Sequence, residues 1–238
     1  MTPPDEPLVL LPGMGCSSRM WDQVLAAPDL DGSVSEVRRP ALRGRSLGEC
    51  VDALLDQLPQ RFALAGLSLG AIVALALTRR APDRVVRLAL LAVNPRPPRP
   101  DQLEAWAAQR RALADGASAR QLQEQLLPVL VTPRHRAELE PLVLRMADEV
   151  GEEDLDDQLA IQQTRIDERP ALRRIGVPTL VLAGAQDALV PVARHEEVRA
   201  SVPGARLAVL PHSGHLSTCE APAEVAAELR RWLRGSDA

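Results

Sequence analysis

A serine flanked by glycines, in the segment GLSLG at residues 66–70, has the setting of a nucleophile. It follows the apolar run Phe62–Leu67 and precedes an alanine-rich stretch with the apolar periodicity of a helix. A sharp strand-to-helix turn exposes the side chain at its tip, and a helix N-terminus stabilises negative charge in front of it. The pattern predicts that Ser68 attacks a carbonyl carbon. The alternative is a structural turn in which the glycines only relieve crowding.

A serine hydroxyl needs a base to remove its proton, and the chain has four histidines. His135 and His195 stand among charged residues on predicted helices, which indicates solvated surface positions. In the segment VLPHSGHLST, both His212 and His215 follow a predicted strand. We predict His215 as the base because a glycine directly precedes it, with His212 as the alternative. The HxxH spacing also fits metal ligands, but no nearby Cys, Asp or third His completes a cluster, so no metal is predicted.

An imidazole base needs an acid that fixes its tautomer and stabilises its charged form. The segment TLVLAGAQDALVP places Asp187 directly after another predicted strand. A turn or helix cap is the ordinary use of an aspartate in such a loop. However, Ser68, Asp187 and His215 each follow the carboxyl end of a predicted strand, where α/β sheets build their sites. The sequence therefore predicts a Ser-Asp-His triad, in the chain order typical of one class of hydrolases.

The segment LVLLPGMGC predicts a strand followed by a glycine-containing loop that leads into a helix. The backbone N–H groups of Met14 and Leu69 are predicted to point at the same spot and to form an oxyanion hole. Losing one such donor typically lowers turnover by roughly 10²- to 10³-fold.

Short apolar runs alternate with helical patterns along most of the chain, which predicts an α/β fold with a doubly wound, mostly parallel sheet. We expect six parallel strands in the order 2-1-3-4-5-6. The predicted strands are Leu8–Leu11, Val34–Arg38, Phe62–Leu67, Val86–Val93, Thr179–Ala183 and Ala205–Leu210. The predicted helices are Met20–Ala27, Leu47–Leu58, Ser68–Arg80, Pro191–Ser201 and Pro222–Leu233.

One interval breaks this alternation, because residues 95–169 contain helical patterns and no convincing strand. We predict a helical cap at 95–169 over a core formed by 1–94 and 170–238. Trp106 and Met146 are predicted to face Ser68 and bind substrate, with packing between cap helices as the alternative. The arginines in the first half of the cap could attract an acidic carrier protein, or form a solvated helix face.

Composition excludes several classes of function. No lysine occurs, which rules out Schiff-base chemistry, pyridoxal-phosphate enzymes and P-loop phosphate binding. A formal net charge of −4 gives no electrostatic case for nucleic acid or membrane partners. With no tyrosine and a single phenylalanine, the pocket is predicted to be mainly aliphatic, which favours acyl-chain substrates. Three cysteines without CxxC spacing, and no signal peptide or membrane-spanning stretch, predict a cytoplasmic protein.

The segments LLPGMGC, GLSLG, PTLVLAGAQDALVP and SGHLSTCEAPAEV together resemble the α/β-hydrolase superfamily. The resemblance is to its small esterase, lactonase and thioesterase branch, which includes 3-oxoadipate enol-lactonases and pimeloyl-carrier-protein methyl ester esterases. It implies that Ser68, Asp187 and His215 are the triad, with Met14 and Leu69 as oxyanion donors. The chain begins almost directly on the first predicted strand, so we expect the family's first two strands to be missing.

We therefore predict a serine hydrolase that cleaves an ester, thioester or lactone through an acyl-enzyme and needs no cofactor. Carbon–carbon bond hydrolysis or acyl transfer by the same triad is an alternative. A ligand-binding module with an inactive site on the same fold is another.

Overall fold

The core of the molecule is a parallel β-sheet. A computed structural model describes residues 6–30, 34 and 36–235. Within them, six strands pair in the order β2-β1-β3-β4-β5-β6, and every pair is parallel. The predicted fold class, strand order and strand direction are confirmed. The strands are β1 Leu8–Leu11, β2 Val37–Arg38, β3 Phe62–Leu67, β4 Val85–Leu91, β5 Thr179–Gly184 and β6 Arg206–Leu210.

Three strands are shorter than predicted, and one of them, β6, lacks only Ala205. Val34 lies outside the second strand, and residue 35 lies outside the described residues. The fourth strand ends at Leu91 because Ala92 has a φ of 49°, which ends the extended backbone. Every residue of β1, β3 and β5 is buried, as expected for strands that are covered by helices on both faces.

Helices cover both faces of the sheet and also form one long segment between β4 and β5. A 3₁₀ helix at Ser18–Trp21 followed by α1 occupies the place of the predicted helix Met20–Ala27. The helices of the core are α1 Asp22–Leu25, α2 Leu47–Gln57, α3 Leu69–Arg80, α7 Arg169–Leu172, α8 Val192–Ser201, α9 Ser217–Glu220 and α10 Pro222–Arg234. Those between β4 and α7 are α4 Pro100–Ala114, α5 Ala119–Leu130 and α6 Arg136–Gln163, and α6 is interrupted at Gly151.

The helices α4–α6, called the insert below, are tied to the rest of the chain by polar contacts. The side chain of Gln158 accepts a hydrogen bond from the N–H of Gly15 at 2.7 Å. Acidic side chains of α6 pair with arginines outside the insert, as in Arg43–Asp154 at 2.8 Å. The acidic segment DEVGEEDLDD at residues 148–157 therefore faces the arginine-bearing loop between β2 and α2. The division into a core and a cap with the bounds given above remains a prediction.

None of the helices in the described part of the chain is both long and apolar enough to span a lipid bilayer.

Candidate active site

The turn between β3 and α3 holds Ser68 in a strained conformation. Ser68 has φ 55° and ψ −111°, a region that non-glycine residues rarely adopt. The flanking glycines allow the chain to pack tightly here. A Cβ on Gly66 would lie 2.3 Å from the carbonyl oxygen of Gly70, and one on Gly70 would lie 2.5 Å from that of Leu11. Both glycines are therefore required for the close approach of strand and helix, which places Ser68 at the carboxyl edge of the sheet.

Ser68, Asp187 and His215 form a continuous hydrogen-bonded chain at this edge. The Oγ of Ser68 lies 2.8 Å from Nε2 of His215, and Nδ1 of His215 lies 2.8 Å from Oδ2 of Asp187. An ionised carboxylate only accepts hydrogen bonds, so the proton of a neutral His215 sits on Nδ1. Its Nε2 is then free to accept the hydroxyl proton of Ser68. This arrangement is chemically able to deprotonate the serine as it attacks.

The surroundings of Asp187 keep it ionised. Its Oδ1 accepts hydrogen bonds from the N–H groups of Leu189 and Val190 at 2.8 and 2.9 Å. Burial raises the pKa of the Asp187 carboxyl, but the hydrogen bond and charge of His215 and these two N–H groups outweigh that effect. The pKa of Asp187 therefore lies below its ordinary value. Both carboxylate oxygens therefore accept hydrogen bonds, which fix the orientation of the carboxylate relative to the imidazole.

The loop that carries His215 is held by a second buried carboxylate, Glu220. Its Oε1 accepts the N–H of Gly214 at 3.0 Å, and its Oε2 accepts the N–H and the hydroxyl of Thr132 at 3.0 and 2.6 Å. His135 lies within 3.3 Å of the same Oε2. Glu220 thus joins the His215 loop to the segment between α5 and α6, a contact that the sequence patterns do not indicate.

The predicted oxyanion donors belong to two separate segments of the chain. Met14 follows β1, and Leu69 is the first residue of α3. Neither backbone N–H donates a hydrogen bond to another group within residues 6–30, 34 and 36–235. Both N–H groups are therefore available to an oxygen atom bound in front of Ser68, as an oxyanion hole requires.

A cavity of about 200 Å³ opens in front of Ser68 and His215. Its wall is largely aliphatic, as predicted, with contributions from Leu67, Ile72, Leu126, Leu130, Val190 and Leu216. The wall also has polar side chains that were not predicted from the sequence, which are Asn94, Gln102, Gln109, Gln162 and Arg165. One signal was available, because Gln102, Ala105, Trp106 and Gln109 have the spacing of a single helix face.

Of the two predicted substrate-binding residues, only Trp106 borders this cavity. Trp106 also packs with Leu122 and Leu159 between the helices of the insert, which was its alternative role, and substrate binding by Trp106 remains a prediction. Met146 is fully buried in the main hydrophobic core with Val143, and it does not line the cavity. The expectation that it faces Ser68 was wrong because its face of α6 packs onto the core.

Two histidines that were predicted to be solvated are not. His195 has 0% exposure, with Nε2 3.1 Å from the N–H of Val93 and Nδ1 3.3 Å from the carbonyl oxygen of Pro191. His195 and Val198 lie on the inner face of α8, and the charged neighbours lie on the outer face. His135 is half-buried against Glu220. The alternative base, His212, is exposed, and His215 is the histidine that contacts Ser68.

His195 makes stability depend on pH. Burial lowers its pKa from 6.5 to about 4, although Pro191 and Asp187 oppose the shift. The unfolded chain therefore binds an extra proton between these pH values. We expect His195 to leave the free energy of unfolding unchanged above pH 6.5. As the pH drops to 4, it should lower that free energy by on the order of 3 kcal/mol.

The matched variant is His195→Gln, because the glutamine side chain can still accept the N–H of Val93 and does not titrate. Urea unfolding at several pH values should give a flatter dependence for the variant than for the wild type. All other residues are the same in both proteins, so the difference between the curves isolates His195. Parallel curves would contradict this assignment.

Known proteins share this architecture. The α/β hydrolase family model matches residues 8–228. A pimeloyl-[acyl-carrier protein] methyl ester esterase of Aromatoleum aromaticum is 32% identical over 99% of this chain and 100% of its own length. A biotin biosynthesis bifunctional protein of Cellvibrio japonicus is 33% identical over 87% of this chain, which spans 43% of that longer relative.

Among solved structures, the enol-lactonase from Burkholderia xenovorans LB400 superimposes with a TM-score of 0.84. The match covers 96% of this chain and 91% of that one, at 22% identity, and so shows a shared fold. The resemblance inferred from the sequence motifs is confirmed by these matches. From the extent of the family match and the identity to a full-length esterase, this chain belongs to the α/β hydrolase family.

Proposed function

We propose that this protein is a serine hydrolase that cleaves a carboxylic ester, thioester or lactone. The observation that carries the proposal is the unbroken chain from Ser68 Oγ through His215 to Asp187, with 2.8 Å at each step. The cavity in front of Ser68 supplies room for a small acyl substrate. The name of the Aromatoleum aromaticum relative, an esterase, supports the same reaction class.

In the first half of the reaction, Nε2 of His215 takes the hydroxyl proton as Ser68 Oγ bonds to the carbonyl carbon. The electron pair of the carbonyl double bond moves to its oxygen, where the N–H groups of Met14 and Leu69 stabilise the charge. Asp187 stabilises the imidazolium. The bond to the leaving group then breaks, and the proton on Nε2 passes to that group, which leaves an acyl-enzyme.

In the second half, Nε2 of His215 takes a proton from water while the water oxygen bonds to the acyl carbon. The same N–H groups stabilise the second oxyanion. Collapse of this intermediate breaks the bond to Ser68 Oγ, returns the proton to that oxygen and releases the carboxylic acid. No step requires a metal or a cofactor.

The test is covalent labelling of the protein by a fluorophosphonate, which reacts with activated serines. We expect rapid labelling at Ser68, and labelling slowed by several orders of magnitude in His215→Ala, because the base is lost. Peptide mass spectrometry locates the label. A wild-type protein that stays unlabelled, or labels elsewhere, would favour the non-catalytic binding module over the hydrolase.

The leaving group distinguishes the narrower alternatives. A carrier-linked acyl group is supported by the name of the esterase relative and by the exposed arginines Arg111 on α4 and Arg120 on α5. The rate of thiol release from acyl thioesters, compared with the rate of alcohol release from matched esters, shows which substrate class the protein prefers. A cytoplasmic location fits the three cysteines, all of which are buried and free.

A further inference from the structure

Arg165 places a positive charge in the wall of the active-site cavity. It lies between α6 and α7, is 6% exposed, and borders the same cavity as Ser68 and His215. Among the described residues that line this cavity, no other is an arginine, a lysine, an aspartate or a glutamate. A charge in this position is unusual because arginine side chains are seldom fully buried without a partner.

The polar contacts of Arg165 leave its charge uncompensated. One terminal nitrogen donates to the Gln162 amide oxygen at 3.2 Å, and the other donates to that of Gln102 at 3.4 Å. The guanidinium also lies over the ring of Trp106, 5.3 Å from its centre. Its Nε is buried and has no hydrogen-bond partner in the described residues. All these partners are neutral, so none of them balances the positive charge.

Other arginines of the same region are paired. Arg79 forms a bidentate bond with Glu168, and Arg110 forms one with Asp156. For Arg165, no carboxylate of the described chain lies within ion-pair distance. A buried charge without a counter-ion is costly for the folded state, so a protein that retains one has a use for it.

Arg165 nevertheless keeps its proton. Burial, with a smaller contribution from the charge of Arg99, lowers the pKa of Arg165 to about 10. At neutral pH the guanidinium is therefore still a cation. Each of its two terminal nitrogens carries a second N–H bond, and a pair of such bonds binds a carboxylate with two hydrogen bonds.

We propose that the cavity binds a small ester or lactone that carries a free carboxylate in addition to the bond that is cleaved, with Arg165 as its counter-ion. The inference rests on the proposed function for the cleaved bond, and it narrows the substrate class. A single guanidinium balances a single negative charge, which favours a carboxylate over a doubly charged phosphate. The aliphatic wall accommodates the carbon chain between the two groups.

The experiment compares matched substrates in wild type and in Arg165→Met, which keeps an unbranched apolar side chain and removes the charge. One pair is mono-p-nitrophenyl adipate and p-nitrophenyl hexanoate, with the carboxylate on the acyl side. The other pair is 4-(hexanoyloxy)benzoate and phenyl hexanoate, with the carboxylate on the leaving group. The measured quantity is kcat/KM for each ester.

In one of the two pairs, we expect Arg165→Met to lower kcat/KM for the charged ester by roughly 10- to 150-fold, the worth of charge-assisted hydrogen bonds. The neutral ester of that pair should change less than about threefold. The control is Arg231→Met, whose arginine lies on α10, is exposed, pairs with Glu228 and does not line the cavity. It should leave all four values unchanged. Equal losses for the charged and neutral esters in both pairs would overturn the proposal.

A binding measurement separates this proposal from the proposed reaction. In the Ser68→Ala protein, adipate should raise the melting temperature, and the neutral adipamide should not. The wild type could fail to cleave any ester while adipate still raises the melting temperature in a way that depends on Arg165. That result would support the anion site and refute the hydrolase. Ester cleavage without discrimination and without adipate stabilisation would refute the anion site alone. If Arg165→Met fails to fold, the comparison of adipate with adipamide still tests whether the cavity binds a carboxylate.

Discussion

Ser68→Ala is expected to lower kcat by about 10³- to 10⁶-fold while the protein stays folded. The substitution removes the Oγ that lies 2.8 Å from His215 Nε2, and no other group in the triad can form the acyl-enzyme. The residual rate would come from substrate binding and from the two oxyanion donors. Steady-state kinetics on an activated ester measures the loss, and alanine at this strained position leaves circular dichroism unchanged.

The matched control is Ser201→Ala, since Ser201 lies on α8 and donates only to the carbonyl oxygen of Glu197. That variant should keep wild-type kcat. A Ser68→Ala protein that retains a tenth of wild-type activity would mean that hydrolysis does not pass through this serine.

Asp187→Asn is expected to lower kcat by roughly 10⁴-fold, with the overall geometry preserved. The asparagine oxygen can still accept the N–H groups of Leu189 and Val190, which now bond to Asp187 Oδ1. Its amide NH₂ then faces Nδ1 of His215 and donates to it. The imidazole proton is forced onto Nε2, and a protonated Nε2 cannot accept the proton of Ser68.

The same variant should react slowly with a fluorophosphonate, because the serine is no longer activated. Asp148→Asn is the control, since Asp148 is half-exposed and pairs with Arg120 on the surface of the insert. Its kinetics should match the wild type. A normal labelling rate in Asp187→Asn would show that this carboxylate does not set the tautomer of His215.

Local patterns in the sequence were sufficient for the sheet and for the positions of three polar side chains. Continuous apolar runs identify strands that are buried on both faces, and the six-strand parallel order follows from them. Carboxyl ends of parallel strands meet at one edge, so residues that follow β3, β5 and β6 lie near each other. The sequence predicted Ser68, Asp187 and His215 on this ground, and the structure brings them into contact.

Only the tertiary structure decided which helix faces are buried. His195 looks solvated in the sequence because charged residues surround it, yet it is buried once α8 packs on the sheet. No sequence pattern singles out Arg165, which is buried beside the cavity. Met146 was assigned to the pocket because it is apolar, but its face of α6 packs onto the core. Periodicity shows that a helix has an inner face, whereas the partner of that face depends on long-range packing. That packing leaves the charge of Arg165 facing the cavity that a substrate would enter.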